Sequence, residues 1–320
     1  MNEAAPHRTF LTTLLCGLLV AVLMLFSALG TEKTDRSSAI ATVSAAVTEP
    51  LLSAEAYVVM LAAGDTPLIG RRIDKPVAPA SLTKIMTAVV AAEKLAPTDR
   101  GTMTAYAKNV EERKSAAHEG EEFLRDELIR MALIMSANDA ALTLAERTAA
   151  ASRSRSCFCS TAWHIGAVPL NDATISVAER VAFFVRLMNA KARILGMTAT
   201  HFENPTGLDM PRHLTSARDL ARLTDYVLER HPQLWAMTRE QKATVVTTAK
   251  KSYALENNND LLKEFPALIG GKTGRTDNAK EALMLLYPVE QNRVAIIVIL
   301  RSDDRFGDGR KIIQWLEENF

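Results

Sequence analysis

Hydrophobic positions along the chain change spacing several times, and each change marks an element. Phe10 to Leu29 carries no charge and is mostly Leu, Val, Ala, Met and Phe, a run long enough to cross a bilayer core as a helix. Arg8 precedes it, while Glu32, Lys33, Asp35 and Arg36 cancel behind it. That places the N-terminus inside and the rest of the chain outside. A cleaved signal peptide is the rival, with Ala28-Leu29-Gly30 as a small-x-small site, but the run is long for such a segment. Residues 1–31 are thus expected to be a membrane anchor or signal peptide. Residues 32–53, rich in Ala, Ser and Thr without a period, read as a linker.

From residue 54 the pattern becomes that of a folded domain. Ala56 to Leu61 reads as a strand, Ala63-Gly64-Asp65-Thr66 as a turn, and Pro67 to Ile73 as the hairpin partner. Pro79 precedes an apolar helix that ends near Leu95. Glu122 to Met135 reads as a core-facing helix through Leu124, Leu128, Met131 and Met135, and helical spacing resumes from Asn138 to Glu146. Ser176 and Glu179 form a capping box for a helix burying Val181, Phe184, Val185 and Met188 and stopped by Gly196. Ser216 caps another helix, through Leu220, Leu223 and Val227. Ala282 to Val289 and Val294 to Arg301 are apolar strands joined by a turn at Glu290-Gln291-Asn292, and Gly309 to Phe320 is a closing amphipathic helix.

Composition adds exclusions. Hydrophobic content of 48% and charged content of 23% are those of a globular protein, and a net charge of +1 gives no field for nucleic acid. Three cysteines make no disulfide framework. Residues 150–173 form an atypical, low-complexity insertion; its Cys157, Cys159 and His164 match no usual zinc spacing, so no metal is expected.

Three short stretches carry chemistry. Ser81 and Lys84 lie one turn apart at a helix start, where an amine can take the serine proton and the helix N-terminus favours negative charge. Ser136-Ala137-Asn138-Asp139 separates two helices, where polar side chains can turn toward a cleft; a capping turn explains the same residues. Lys272-Thr273-Gly274-Arg275 follows two glycines on a strand edge, which allow close approach of a ligand and a carboxylate contact; a Gly-rich surface turn is the plainer reading.

In this order, Ser-x-x-Lys, Ser-x-Asn and Lys-Thr-Gly form the set shared by penicillin-recognising serine enzymes. The neighbouring residues Ala80 to Ala88, Ser136 to Ala141, Lys272 to Thr276, Met188-Asn189, Leu195-Gly196-Met197 and Asn204-Pro205-Thr206-Gly207-Leu208-Asp209 narrow the resemblance. The chain resembles the low-molecular-mass penicillin-binding proteins that are serine-type D-alanyl-D-alanine carboxypeptidases, over roughly Glu55 to Phe320. Glu203-Asn204-Pro205 does not match the Glu-Pro pattern of class A β-lactamases.

The resemblance implies an α+β fold of the β-lactamase/transpeptidase type. An antiparallel five-stranded sheet is flanked by helices, beside an all-helical subdomain, within residues 54–320. It implies Ser81 as nucleophile, Lys84 as base, Ser136 as proton relay, and Asn138 orienting Lys84 and the substrate amide. Lys272, Thr273, Gly274 and Arg275 would bind substrate, with the N–H groups of Ser81 and Arg275 as oxyanion hole. Expected partners are the peptidoglycan stem peptide, β-lactams as covalent inhibitors, and the membrane through the N-terminal helix; no cofactor is needed. The domain would lie outside the bacterial cell membrane. Alternatives are a peptidoglycan DD-endopeptidase, or a non-hydrolytic penicillin-binding sensor or wall-binding module. Two departures stand out: the 150–173 insertion, and Arg275 where relatives often carry an aromatic residue or histidine.

Overall fold

Two long apolar strands near the C-terminus organise the computed structural model, which describes residues 48–154 and 175–320. In chain order the strands are β1 (Ala56–Leu61), β2 (Pro67–Arg71), β3 (Arg100–Thr102), β4 (Glu122–Leu124), β5 (Lys242–Val246), β6 (Ser252–Glu256), β7 (Gly270–Thr276), β8 (Lys280–Val289) and β9 (Arg293–Ser302). Five of them form one antiparallel sheet in the order β2-β1-β9-β8-β7, joining the two N-terminal to the three C-terminal strands as expected. Gln291 and Asn292 both adopt positive φ (60° and 57°) at the β8–β9 turn, the backbone that matches the twist of a tight hairpin.

Both faces of this sheet are covered, which explains why β8 and β9 read as continuous apolar runs rather than alternating ones. Ala282, Met284, Leu286, Ile296, Val298 and Leu300 face a core shared with the helices Thr83–Lys94, Arg125–Ile134, Asn138–Ser154, Val177–Ile194 and Ala217–Arg230. Leu283, Leu285, Ile297 and Ile299 face a second core closed by the helices Leu261–Glu264 and Arg305–Asn319. The fold is α+β. The helical part is not purely helical: the two-stranded ladders β3–β4 and β5–β6 also lie outside the main sheet.

Several expectations shift. Glu122 to Leu124 is not the first turn of a helix but β4, paired with β3. The Leu124 side chain, counted as core by its spacing, is 38% exposed, while Phe123 is buried. The closing helix begins at Arg305 rather than Gly309, with the Asp304 carboxylate accepting the Gly307 N–H. Glycines at 307 and 309 hid that start; Gly309 is there for packing, since a Cβ would sit 2.8 Å from Leu261. The helix from Asn138 continues past Glu146 to Ser154.

The end of the expected linker is already part of the domain. Leu52 is buried, and Asp308 accepts bonds from the Ser53 N–H (2.9 Å), the Ser53 hydroxyl (2.8 Å) and the Ala54 N–H (2.9 Å). The compact unit runs Thr48–Phe320. The Phe10–Leu29 anchor, the linker up to residue 47, and the insertion from 155 onward with Cys157, Cys159 and His164 lie outside the described residues. Among the described residues no helix is long and apolar enough to cross a membrane.

Candidate active site

Ser81 stands in a single 3-10 turn, Ala80–Leu82, that leads straight into the helix Thr83–Lys94. Ala80 takes φ +49°, a left-handed conformation that an alanine adopts only under constraint. The constraint is visible. Thr83 Oγ1 donates to the Ala80 carbonyl (2.9 Å) and meets His213 Nε2 (2.8 Å), while His213 Nδ1 accepts the Glu203 N–H (3.0 Å). An accepting Nδ1 assigns the proton of a neutral ring to Nε2. Burial pushes the His213 pKa down to about 4, against a smaller opposing pull from Glu203, so the ring stays neutral near pH 7.

Lys84 lies one turn beyond Ser81, its side chain wholly buried. Its Nζ donates to Ser81 Oγ (2.9 Å) and to the Thr206 carbonyl (2.6 Å). Burial, aided by the charge of Arg113, lowers its pKa to about 7, although Glu112 and Asp139 pull the other way. The Thr206 carbonyl is aimed by an Asx turn in which Asn204 Oδ1 accepts the N–H groups of Thr206 (3.1 Å) and Gly207 (2.7 Å). Thr87 anchors the same turn by donating to the Pro205 carbonyl (2.6 Å).

Ser136 sits between the helices Arg125–Ile134 and Asn138–Ser154, also left-handed at φ +66°. Its hydroxyl accepts from Lys272 Nζ (2.9 Å), which also donates to the Thr273 carbonyl (2.9 Å). Burial pushes Lys272 well below the ordinary lysine value, and the charges of Lys84, Arg113 and Arg305 add to the effect. Burial and the neighbouring cations thus both oppose two ammonium groups in this cleft. Thr273 Oγ1 donates to Asn258 Oδ1 (2.5 Å).

Ser81, Ser136, Asn138, Thr273, Gly274 and Arg275 all line one cleft, with Glu112, Arg113, Asn258 and Arg305. Lys84 and Lys272 lie beneath it, so every residue expected from the sequence is brought together. One role differs. The second bond of Lys84 goes to Thr206, not to Asn138, whose Nδ2 donates instead to the Glu111 carbonyl (3.0 Å). A separate cavity of about 480 Å³ is lined in part by Pro205 and Thr206, and its lining includes none of Ser81, Lys84, Ser136, Asn138 or Lys272 to Arg275.

Sequence reasoning missed Thr206, His213, Asn258, Arg113 and Arg305. Of these, only Thr206 had a local signal, the Asn-Pro-Thr-Gly turn. Arg305 donates to the Gly274 carbonyl (3.1 Å) and approaches Glu281 (3.6 Å), while its buried Nε has no partner. Two glycines bracket the Ser81 amide. A Cβ on Gly207 (φ +90°) would fall 1.9 Å from the Ala80 carbonyl oxygen and 2.9 Å from Ser81 N, and one on Gly274 would fall 3.1 Å from Ser81 N.

Gly207→Ala is therefore expected to lower the rate at which a labelled penicillin acylates Ser81 by about two orders of magnitude, the size of a lost oxyanion donor. Gly196→Ala is the control, since that glycine is also left-handed (φ +67°) but a Cβ there meets nothing within 4 Å. It should cost stability and leave acylation unchanged. Equal acylation rates in the two variants would show that the Gly207 contact does not shape the site.

The model of the peptidase family described as D-alanyl-D-alanine carboxypeptidase matches residues 43–155 and 167–303, passing over 156–166. The chain is 29% identical over 221 residues to the D-alanyl-D-alanine carboxypeptidase DacF of Bacillus subtilis, covering 68% of this chain and 49% of that protein. It is 28% identical over 257 residues to a D-alanyl-D-alanine endopeptidase of Pseudomonas aeruginosa, covering 78% of this chain and 73% of that one. It spans about half or less of the first curated relatives it matches. Among solved structures, a D-alanyl-D-alanine carboxypeptidase from Mycobacterium tuberculosis superposes with a TM-score of 0.67 at 23% identity, covering 84% of this chain and 92% of that one. A Streptomyces DD-transpeptidase superposes with a TM-score of 0.70 at 22% identity, covering 85% and 99%. These last likenesses speak for the fold. With the family model matching most of its length, the chain belongs to the D-alanyl-D-alanine carboxypeptidase family of peptidases.

Proposed function

We propose that this chain is a serine-type D-alanyl-D-alanine carboxypeptidase that trims peptidoglycan stem peptides through an acyl-enzyme on Ser81. The observation that carries this reading is the Lys84 amine, buried, 2.9 Å from Ser81 Oγ, with a pKa lowered to about 7. An amine so placed is neutral often enough to serve as a base. Ser81 Oγ attacks the carbonyl carbon of the penultimate D-alanine while Lys84 takes its proton. The N–H groups of Ser81 and Arg275 hold the oxyanion. The C–N bond then breaks as the proton taken up by Lys84 is relayed through Ser136 to the departing amine, so that terminal D-alanine leaves with Ser136 still protonated and Lys84 neutral again. Water hydrolyses the remaining ester.

Lys272, Thr273 and Arg305 hold the terminal carboxylate, and Gly274 lets the peptide backbone approach. That carboxylate supplies the anion Lys272 lacks, so substrate binding favours the charged form of Lys272 when it is needed. β-Lactams acylate the same serine. A DD-endopeptidase is the second reading, favoured by the Pseudomonas aeruginosa relative of that name matching over 78% of this chain. It uses the same chemistry on a longer amine. The location is proposed to be extracytoplasmic, at the bacterial membrane, with Phe10–Leu29 as anchor.

Lys84 and Lys272 need opposite protonation states, which separates them experimentally. Lys84→Arg should abolish penicillin acylation almost completely, because a guanidinium does not give up its proton. Lys272→Arg keeps a cation and should retain partial acylation. Mass spectrometry of the wild-type adduct should place the label on Ser81. A label elsewhere, or Lys84→Arg as the milder change, contradicts the assignment.

The anchor is tested by fractionation. Full-length protein should sediment with membranes and resist extraction by high salt, with its original N-terminus intact. Recovery of a soluble protein starting near Thr31 would make the segment a cleaved signal.

A further inference from the structure

The segment 108–115 is strapped across the helical side of the cleft. Asp139, wholly buried, accepts from Lys108 Nζ (2.5 Å), from the Ser115 N–H (3.0 Å) and from the Ser115 hydroxyl (2.8 Å). Asn138 ties down the middle: its N–H donates to the Arg113 carbonyl (2.7 Å) and its Nδ2 to the Glu111 carbonyl. The strap fixes Glu112 and Arg113 at the cleft, with Glu112 left-handed at φ +60°. Arg113 lies near enough for its charge to press on Lys84, Lys272 and Arg305. From the sheet side, Arg275 on β7 lines the same cleft.

The charges do not balance for an ordinary substrate. Arg305 has Glu281 beside it, and Lys272 with Arg305 suffices for one terminal carboxylate. Arg113 and Arg275 are exposed side chains lining the cleft, and among the described residues neither guanidinium forms an ion pair or a side-chain hydrogen bond. Asp139 is committed to Lys108 and Ser115, which leaves Glu112 as the acidic side chain lining the cleft. Arg113 and Arg275 line the same cleft as Ser81, so a peptide that reaches the serine passes beside both side chains.

We propose that Arg113 and Arg275 form an anion-binding subsite that selects donor peptides carrying a second carboxylate close to the scissile end. The inference rests on the carboxypeptidase reading and specifies its substrate. It makes Arg113 a specificity residue, held in place by Asn138 and Asp139. It also gives a physical role to the exposed Arg275 side chain on β7. A charge-assisted hydrogen bond to a carboxylate is worth about tenfold or more in binding.

The test compares two acyl peptides ending in D-alanyl-D-alanine. They differ only at the preceding residue, which carries a side-chain carboxylate in one and the matching primary amide in the other. For the full chain, kcat/KM for D-alanine release should favour the free acid by about tenfold or more, and added salt should shrink the preference. Arg113→Gln and Arg275→Gln should each move the ratio toward one, and Arg113→Lys should restore most of it. Acylation by labelled penicillin, run on every variant, reports whether the site is assembled. Equal rates for the two peptides in the wild type overturn the subsite, as does an unchanged ratio in both glutamine variants. If the wild type takes neither penicillin nor either peptide, the carboxypeptidase reading fails, and the subsite with it.

Discussion

Two lysine side chains sit buried beside two serines, and among the described residues neither has a carboxylate in contact. Burying an ammonium without a counter-charge is costly, so each amine is driven toward neutrality. On the proposed mechanism, this one constraint suits Lys84 to act as a base and Lys272 to receive an anion. It also opposes folding. The unfolded chain binds the Lys84 proton at the ordinary value of 10.5 and the folded chain at about 7. Between those values stability declines as pH falls, by about 1.4 kcal/mol per unit.

The surrounding structure holds the groups against that cost. Ala80, Glu112 and Ser136, all at or lining the cleft, adopt left-handed conformations, each costing on the order of 1 kcal/mol or more. They persist because neighbours over-determine them: the Thr83–His213 chain at Ala80, the Asn138 bonds around Glu112, and the Lys272 bond at Ser136. Behind them, the hairpin β8–β9, packed on both faces, supports β7 and its Lys-Thr-Gly edge. The rigid sheet and the strained cleft are two halves of one device, in which core packing offsets the strain that positions the serine.

Much of this was legible in the chain. Ser81 and Lys84 are one helical turn apart, so local geometry alone brings them together. The sheet strands were readable because two-sided burial leaves uninterrupted β-branched and aliphatic runs. What the sequence hid is what tertiary contact supplies. Thr206 reaches Lys84 from 122 positions away, and His213 reaches Thr83 from 130. Neither residue type announces such a role. Glu122 to Leu124 misled because helical spacing happens to continue through a strand whose partner, β3, is remote in sequence. Asn138 was placed correctly and given the wrong neighbour, since nothing local shows that segment 108–115 lies over it.

The central claim is that Ser81 is activated by a lysine which burial makes neutral near pH 7. It is tested most directly by following the lysine ε-carbons of 13C-lysine-labelled protein by NMR across pH, with Lys84→Arg identifying the resonance. The account predicts a Lys84 midpoint near 7 in the ligand-free protein. A midpoint at the ordinary lysine value of 10.5 would contradict it.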